Sequence, residues 1–561
     1  MDTLLRARSR RWVSGLLLVA ATAGIAGCVG ILEGEPDVKT DPPPVQTETA
    51  DHGMRLPRLS HAQWEKTAQV FLHLTDAPIS MLRQDTIPED GFETDDHARS
   101  IDKTLVHDYR TEAEKLADKE VDDDGAFAKF TSEAGEGDVP TRLRRLITVA
   151  WPRAYRRPLT TDEVDRYVAL GLAEPGYATA MDDKGKLQAA LRLLLRITMQ
   201  SPHFIYRVEF GDPAAEVQQG KYRVRPLTAR EYATRLAYTL FDAPPDDALI
   251  AAVAADGATF DVGKLLDDPR AAATLLRFHK ALYAVDASRS MIKDPGKFPG
   301  MEGLGIDAAK EAELFLDDVV KNGGSLRDLL LSRTTFVNKR LASIYGLPLD
   351  NITDNDFSPA VLPTERAGIL TRVSWTGNEA DLFERSSILR GVYITRKVLC
   401  TTLGAPPQGA VEGAPKAPPD LVSNRDKVTF RTGEVACAGC HQQVINPNGF
   451  AFEGFDAIGK FLTEEKGLKV DASGETSLDG KRVAFDGARD FLETAAEADQ
   501  THGCYVNHLS SWALGRPLAD FERTDALPTV QRSVRDRASV RVTLAALLSA
   551  PSFRSVVREV P

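Results

Sequence analysis

Three stretches of one construction limit what this chain can fold into: Leu59-Ser60-x-x-Gln63-Trp64, Leu159-Thr160-x-x-Glu163-Val164 and Leu227-Thr228-x-x-Glu231-Tyr232. In each, a hydroxyl caps a helix and a Gln or Glu three residues on reaches back to the N–H of the cap. The flanking apolar pair can staple the entry. Apolar residues then recur at helical spacing, as in Trp64, Ala68, Phe71 and Leu72, or Tyr232, Leu236 and Leu240, which reads as core-facing stripes. Further helices are predicted at Leu187–Met199, at Asp307–Lys321 stopped by Asn322-Gly323-Gly324, and at Leu326–Ser332. Strand signals are few. The best runs from Lys469 to Phe485, where Asp479-Gly480 suits a two-residue hairpin turn. The expected fold class is mainly α, a multi-helical multidomain chain with a small β-hairpin near the C-terminus.

The chain has 561 residues, 43% of them hydrophobic, enough for several cores. At about 100–200 residues per domain this means three or four units. Composition shifts at Asp122–Asp138, Pro348–Pro359 and the Pro/Ala/Gly run Gly404–Pro419. The expected units are an N-terminal helical one at 55–135, a small arginine-rich one at 139–175, a large central helical one at 180–348, one at 362–463 around a cysteine motif, and a C-terminal one at 468–561 with hairpin and helices. A net charge of −12 argues against nucleic acid as a partner, since such proteins cluster Lys and Arg against phosphates.

At the N-terminus, Arg6, Arg8, Arg10 and Arg11 precede a short apolar run and then small residues, the pattern of an export signal over 1–27. Ile25-Ala26-Gly27-Cys28 resembles a bacterial lipobox, which implies lipidation of Cys28 and a membrane anchor through that lipid. Val29 after the cysteine implies sorting to the outer membrane. The Pro-, acid- and Thr-rich run that follows, 28–54, reads as a flexible tether. The expected location is the bacterial cell envelope, facing the periplasm or the surface.

The chemistry concentrates in Cys437-Ala-Gly-Cys440-His441, within a chain that has only five cysteines and ten histidines. Cys-x-x-Cys-His is the attachment pattern of one covalent haem c: the two thiols add to the porphyrin vinyl groups and the histidine ligates the iron from one face. Export agrees with it, because haem c is attached outside the cytoplasm. Two alternatives stay open: a Cys437–Cys440 disulfide, and a zinc knuckle completed by Cys400 or Cys504. No methionine follows Met301, so an axial Met close downstream is excluded. His502 and His508 are the nearest downstream imidazoles and weak candidates for the sixth ligand, which is otherwise unknown. Cys400 and Cys504 form a possible disulfide. Asn446-Pro447-Asn448-Gly449 reads as a turn, and Phe450, Phe452 and Phe455 as a wall for the macrocycle. For Glu453 and Asp456, capping and ion pairing are expected ahead of catalysis. His203 and His279 read as structural.

"CAGCHQQVINPNGFAFEGFDAIGKF", together with "RAGILTRVSW" at Arg366 and "FERSSILRGVYITRKVLC" at Phe383, resembles the cytochrome C domain of a family of multidomain cytochrome proteins first recognised in planctomycete genomes. Blocks beginning at Arg55, Trp151, Leu187 and Asp471 resemble the family's associated domains of unknown function. The resemblance implies a c-type cytochrome-like helical segment and supports haem. It implies no reaction and no substrate.

The leading expectation is an envelope-anchored c-type cytochrome protein with one covalent haem, taking part in electron transfer or a haem-linked redox reaction with an unidentified redox partner or substrate. If it is an enzyme, it is a haem-dependent oxidoreductase. The alternative is a non-redox envelope lipoprotein, binding or scaffold, in which Cys437 and Cys440 form a disulfide or metal knuckle. Neither Gly-x-Ser-x-Gly nor His-Glu-x-x-His occurs, so hydrolase motifs give no support to that class.

Overall fold

All three predicted capping boxes close. Ser60 Oγ accepts the Gln63 N–H at 3.1 Å while Gln63 Oε1 accepts the Ser60 N–H at 3.1 Å. Thr160 with Glu163 and Thr228 with Glu231 repeat the arrangement. They start the helices His61–Phe71, Thr161–Leu172 and Ala229–Phe241. The other predicted helices form as Asp183–Met199, Leu304–Lys321 and Leu326–Leu331. The structure, a computed structural model, describes residues 56–559 apart from 77–81, 84, 86–90, 351 and 406–413. The expected signal peptide, Cys28 and the tether 28–54 lie outside the described residues.

The chain is mainly α, and among the described residues its sheets are small, two- and three-stranded. Its cores do not stop at the boundaries expected from composition. One core joins Trp64, Phe71, Tyr109, Trp151, Leu194 and Phe204, so the helix Asp183–Met199 buries its face with the N-terminal helices. A larger core runs from Tyr232 through Phe315, Trp375 and Phe452 to Trp512 and Phe553, shared by the central segment, the cysteine-motif segment and the C-terminal helices. Among the described residues no helix is long and apolar enough to cross a membrane.

The composition shift at Asp122–Asp138 carries a helix, Asp124–Thr131, capped by Asp123 and anchored by buried Phe127 and Phe130 one turn apart. The hairpin forms as Ser473–Leu478 against Lys481–Asp486, with Leu478 opposite Lys481. Asp479 and Gly480 occupy the left-handed region at φ 51° and 72°, as a two-residue turn between twisted strands requires. A three-stranded sheet was not among the expected elements: Val217–Gln219, Tyr222–Pro226 and the C-terminal strand Ser555–Glu559 pair antiparallel, with Val224 opposite Val557. The pairing of Tyr222–Pro226 with Ser555–Glu559 spans more than half the chain, and no window of sequence contains both of those strands.

One buried group has a measurable consequence. Glu120, on the helix Lys103–Asp122, is 1% exposed, and neither carboxylate oxygen has a hydrogen-bond partner. Burial first, then the neighbouring Asp123, push its carboxyl up to about 7. The folded chain therefore holds a proton that the unfolded chain releases near the ordinary carboxyl value. Stability is full below that value and falls as pH rises towards 7, by about 3 kcal/mol. Denaturation of the wild type and of Glu120→Gln at pH 5 and pH 8 tests this: the variant should lose the larger part of the difference, and equal differences in the two proteins would refute it.

Candidate functional site

Ser423 caps the helix Asn424–Arg431, and after a short turn a second helix, Val435–Cys440, carries the motif. Cys437 and Cys440, three apart, lie on one helical face, half-exposed and not joined to each other. At His441 the helix changes its bonding: His441–Ile445 forms a π-type turn in which the Asn446 N–H reaches the His441 carbonyl, and the chain continues into the helix Asn446–Phe450. Such turns place residues five apart above one another. Asn446 therefore stands beside His441.

His441 Nδ1 lies 3.3 Å from Asn446 Oδ1, Asn446 Nδ2 donates to Thr432 Oγ1 at 2.8 Å, and Thr432 Oγ1 donates to the Val428 carbonyl at 2.8 Å. The chain of bonds has one direction. Thr432 spends its only proton on Val428, so it accepts from the Asn446 amide, and Asn446 turns its carbonyl to the imidazole. His441 Nδ1 then carries the proton and Nε2 keeps its lone pair for a metal.

The surrounding scaffold brings backbones into contact. A Cβ on Gly449 would stand 1.9 Å from the Ser387 carbonyl oxygen, and one on Gly391 2.0 Å from that of Ile445. The helix Ser387–Tyr393 thus crosses the post-motif helix through one glycine from each. Asn448, buried, donates from Nδ2 to Thr395 Oγ1 at 3.0 Å and accepts from Thr476 Oγ1 at 2.6 Å, tying the site to the hairpin. The Asn-Pro-Asn-Gly stretch is helical, a correction to the expected turn. Its proline sits in the first turn, where a missing N–H costs nothing, and its glycine serves close approach.

Four buried arginines fasten these pieces. Arg390 donates from Nη1 to the carbonyls of Phe452 at 2.9 Å and Phe455 at 2.7 Å, and from Nη2 to those of Thr376 at 2.6 Å and Asp456 at 3.0 Å. Burial pushes its pKa down to about 10, and Glu453 opposes the shift, so it stays charged at neutral pH. Arg366 holds the carbonyls of Thr371 and Gly459 and lies over the rings of Tyr345 and Phe455. Arg372 pairs with Glu311 at 2.9 Å, both fully buried. Arg385 pairs with Glu453 at 2.9 Å, and Glu453 also accepts from Ser387 and from Asn424 Nδ2 at 2.9 Å, which binds the pre-motif helix to the post-motif segment. Glu453 is thus an ion-pair partner, and Asp456 accepts the N–H groups of Ile458 and Lys460, a turn cap.

The expected aromatic wall is not where the sequence put it. Phe452 packs on Trp375 at 4.7 Å and Phe455 on Phe461 at 5.5 Å, both inside the large core, while Phe450 lies under the Arg425 guanidinium at 4.4 Å. Exposed apolar residues occur in this stretch at Val435, on the helix of the thiols and 95% exposed, and at Phe430, on the preceding helix and 43% exposed.

The remaining cysteines are joined, Cys400 to Cys504, with Cα atoms 5.3 Å apart. His502 has both ring nitrogens engaged, Nδ1 with Ser533 Oγ at 2.9 Å and Nε2 with the Ala496 carbonyl at 3.0 Å. His508 Nε2 lies 3.6 Å from Cys400 Sγ. His279 is fully buried between the Leu275 carbonyl and the Tyr505 hydroxyl, and His203 packs at a tilt against Tyr155, 5.3 Å between ring centres, beside Arg157, both structural.

Residues 366–465, which contain the motif and all four arginines, match PSCyt3, a protein family of unknown function (DUF1588). Residues 57–122 match PSD3 (DUF1587), 142–209 match PSD5 (DUF1595) and 227–347 match PSD4 (DUF1592), each likewise described as of unknown function. All four are domain families associated with planctomycete-type cytochromes c. No curated protein and no solved structure matches the chain.

The glycine contact makes a sharp prediction. Gly449→Ala must separate two backbones that already touch, and should destabilise the chain by about 3 kcal/mol or more, whereas Gly439→Ala, helical and with open space around its Cβ position, should be neutral or stabilise by up to about 1 kcal/mol. Urea denaturation of both variants reads the difference; comparable losses would remove the close approach as the reason for Gly449.

Proposed function

We propose that the protein is an envelope-anchored c-type cytochrome protein that carries one covalent haem and takes part in electron transfer or a haem-linked redox reaction. The observation that carries this reading is the join at residue 441. Two half-exposed thiols on one helical face, not joined to each other by a disulfide, lead directly into a histidine whose Nδ1 is tied and whose Nε2 is left for a metal. The match of this segment to a family named as a cytochrome supports the reading.

In this reading Cys437 and Cys440 hold the porphyrin by thioether bonds and His441 is the proximal ligand, with haem supplying a one-electron couple at the iron. The residues of the chain do the rest. Asn446 and Thr432 fix the tautomer and direction of His441, the glycine crossing and Arg390 hold its helix against the core, and the exposed Val435 offers apolar surface on the helix of the thiols. His502 is committed to Ser533 and Ala496, which weighs against it as the sixth ligand. The anchor would be lipid on Cys28, and the redox partner or substrate lies outside the chain.

Export in a host with haem c maturation, followed by denaturation and an alkaline pyridine haemochrome spectrum, tests the reading directly. Covalent haem at one per chain is expected, lost in Cys437→Ala/Cys440→Ala. A spectrum without covalent haem would overturn it. Asn446→Ala adds a finer check: loss of the bond to Nδ1 makes the imidazole a weaker donor, so the midpoint potential should rise while covalent haem content stays unchanged.

A further inference from the structure

The Cys400–Cys504 bond has a histidine beside it that a structural disulfide does not need. Cys504 and His508 are four apart on the helix Asp499–Leu514 and so share a face, and Cys400 reaches them from the end of the turn Ile394–Val398. The two Sγ atoms and a ring nitrogen of His508 all lie within 4.8 Å of one another. Cys504 is buried, while Cys400 and His508 are half-exposed, so one side is open to solvent.

Two features hold these donors in place apart from the disulfide itself. Cys400 has φ 49°, in the left-handed region that ends helices and favours glycine, and the Thr401 N–H closes back on the Thr395 carbonyl at 2.8 Å. A cysteine stands where the backbone prefers a glycine, at a cost of about 1 kcal/mol. Gln500, one turn before Cys504, donates from Nε2 to the Leu399 carbonyl at 2.9 Å and to Thr401 Oγ1 at 3.3 Å. That clamp fixes the turn carrying Cys400 to the helix carrying Cys504 and His508, whether or not the sulfurs are bonded.

We propose that Cys400, Cys504 and His508 form a disulfide-gated site for copper(I). Two thiolates and an imidazole make a soft three-donor set, which suits a thiophilic cation of low coordination number; structural zinc would need a fourth protein donor, and a zinc completed by water is the competing occupant that the test below separates. The gate balances as thiol–disulfide exchange. A dithiol reductant passes two electrons and two protons to the Cys400–Cys504 bond, which breaks to two thiols, and the reductant leaves as its own disulfide. Copper(I) then displaces the two thiol protons to solvent and takes the His508 nitrogen as third ligand. The site is independent of the haem reading.

The test uses the full-length chain with Cys28→Ala, Cys437→Ala and Cys440→Ala, in which Cys400 and Cys504 are the only thiols. Copper(I) is titrated anaerobically against a bathocuproine competitor before and after treatment with dithiothreitol and desalting. One copper per reduced chain and none per oxidised chain are expected, with unchanged circular dichroism on reduction and two sulfurs plus one nitrogen in the copper X-ray absorption spectrum. His508→Ala and His508→Gln should each weaken binding about tenfold or more. The proposal falls if the reduced chain retains no copper, if the oxidised chain binds it equally, if reduction unfolds the chain, if both folded His508 variants bind as the parent does, or if zinc(II) is held in preference to copper(I).

Discussion

The candidate site hangs on one buried guanidinium. The segment Phe452–Asp456 turns back on itself directly after the helix Asn446–Phe450, and three of its carbonyls converge inward, those of Phe452 and Asp456 also accepting the N–H groups of Phe455 and Gly459 within the turn. Arg390 receives all three, with the Thr376 carbonyl as a fourth. Burying a cation costs several kcal/mol, and only a dense set of acceptors offsets it. The dependence is strongest on the side of the cation: without these carbonyls its charge is stranded in the core, whereas the Phe452 and Asp456 carbonyls keep a backbone partner each.

Arg390 has this reach because of its neighbours on the same helix. Gly391 touches the Ile445 carbonyl and the Ser387 carbonyl touches Gly449, so the helix that supplies the arginine already lies backbone to backbone on the helix it serves. Any side chain at either glycine would lift the guanidinium off its carbonyls. Arg366 and Arg372 repeat the device further back. Arg372 ties its segment to Glu311 on the helix Leu304–Lys321, and Arg366 reaches the Gly459 carbonyl. The motif is thereby fastened through its own flanks to the central helices, which explains in physical terms why "RAGILTRVSW" and "ERSSILRG" lie so far upstream of the cysteines that they support.

What was legible in the sequence was local chemistry. The capping boxes, the Asp479-Gly480 turn and the apolar stripes each depend on residues within a few positions of one another, and each forms. The Asn-Pro-Asn-Gly stretch was misread for an equally physical reason. Taken alone it has turn chemistry, but Asn446 spends its side chain on His441 and Thr432, Asn448 on Thr395 and Thr476, and Gly449 on Ser387, so every turn-forming group is claimed by a tertiary partner. The phenylalanines after it were read as a wall because their spacing carries no record of which side the core lies on. The arginine staples left a signal that went unused: four arginines in two short apolar blocks, in a protein whose surface is acidic, are more arginine than a buried stretch carries without a structural task.

The two ends of the motif are built differently, and the difference follows the chemistry proposed for them. The helix Val435–Cys440 has no buried residue and no side-chain N-cap, so its thiols sit on the least constrained turn of the site. From His441 onward the chain is clamped by Asn446, by the glycine crossing and by Arg390. Covalent attachment needs thiols that an attaching enzyme can reach, which favours a loose, exposed turn. Ligation needs an imidazole whose direction does not wander, which favours a tied one. The π-type turn at His441–Ile445 is the point where the first requirement gives way to the second. It brings Asn446 under the ring at the residue where the helix passes from surface to core, so the change in backbone bonding and the change in function fall on the same residue.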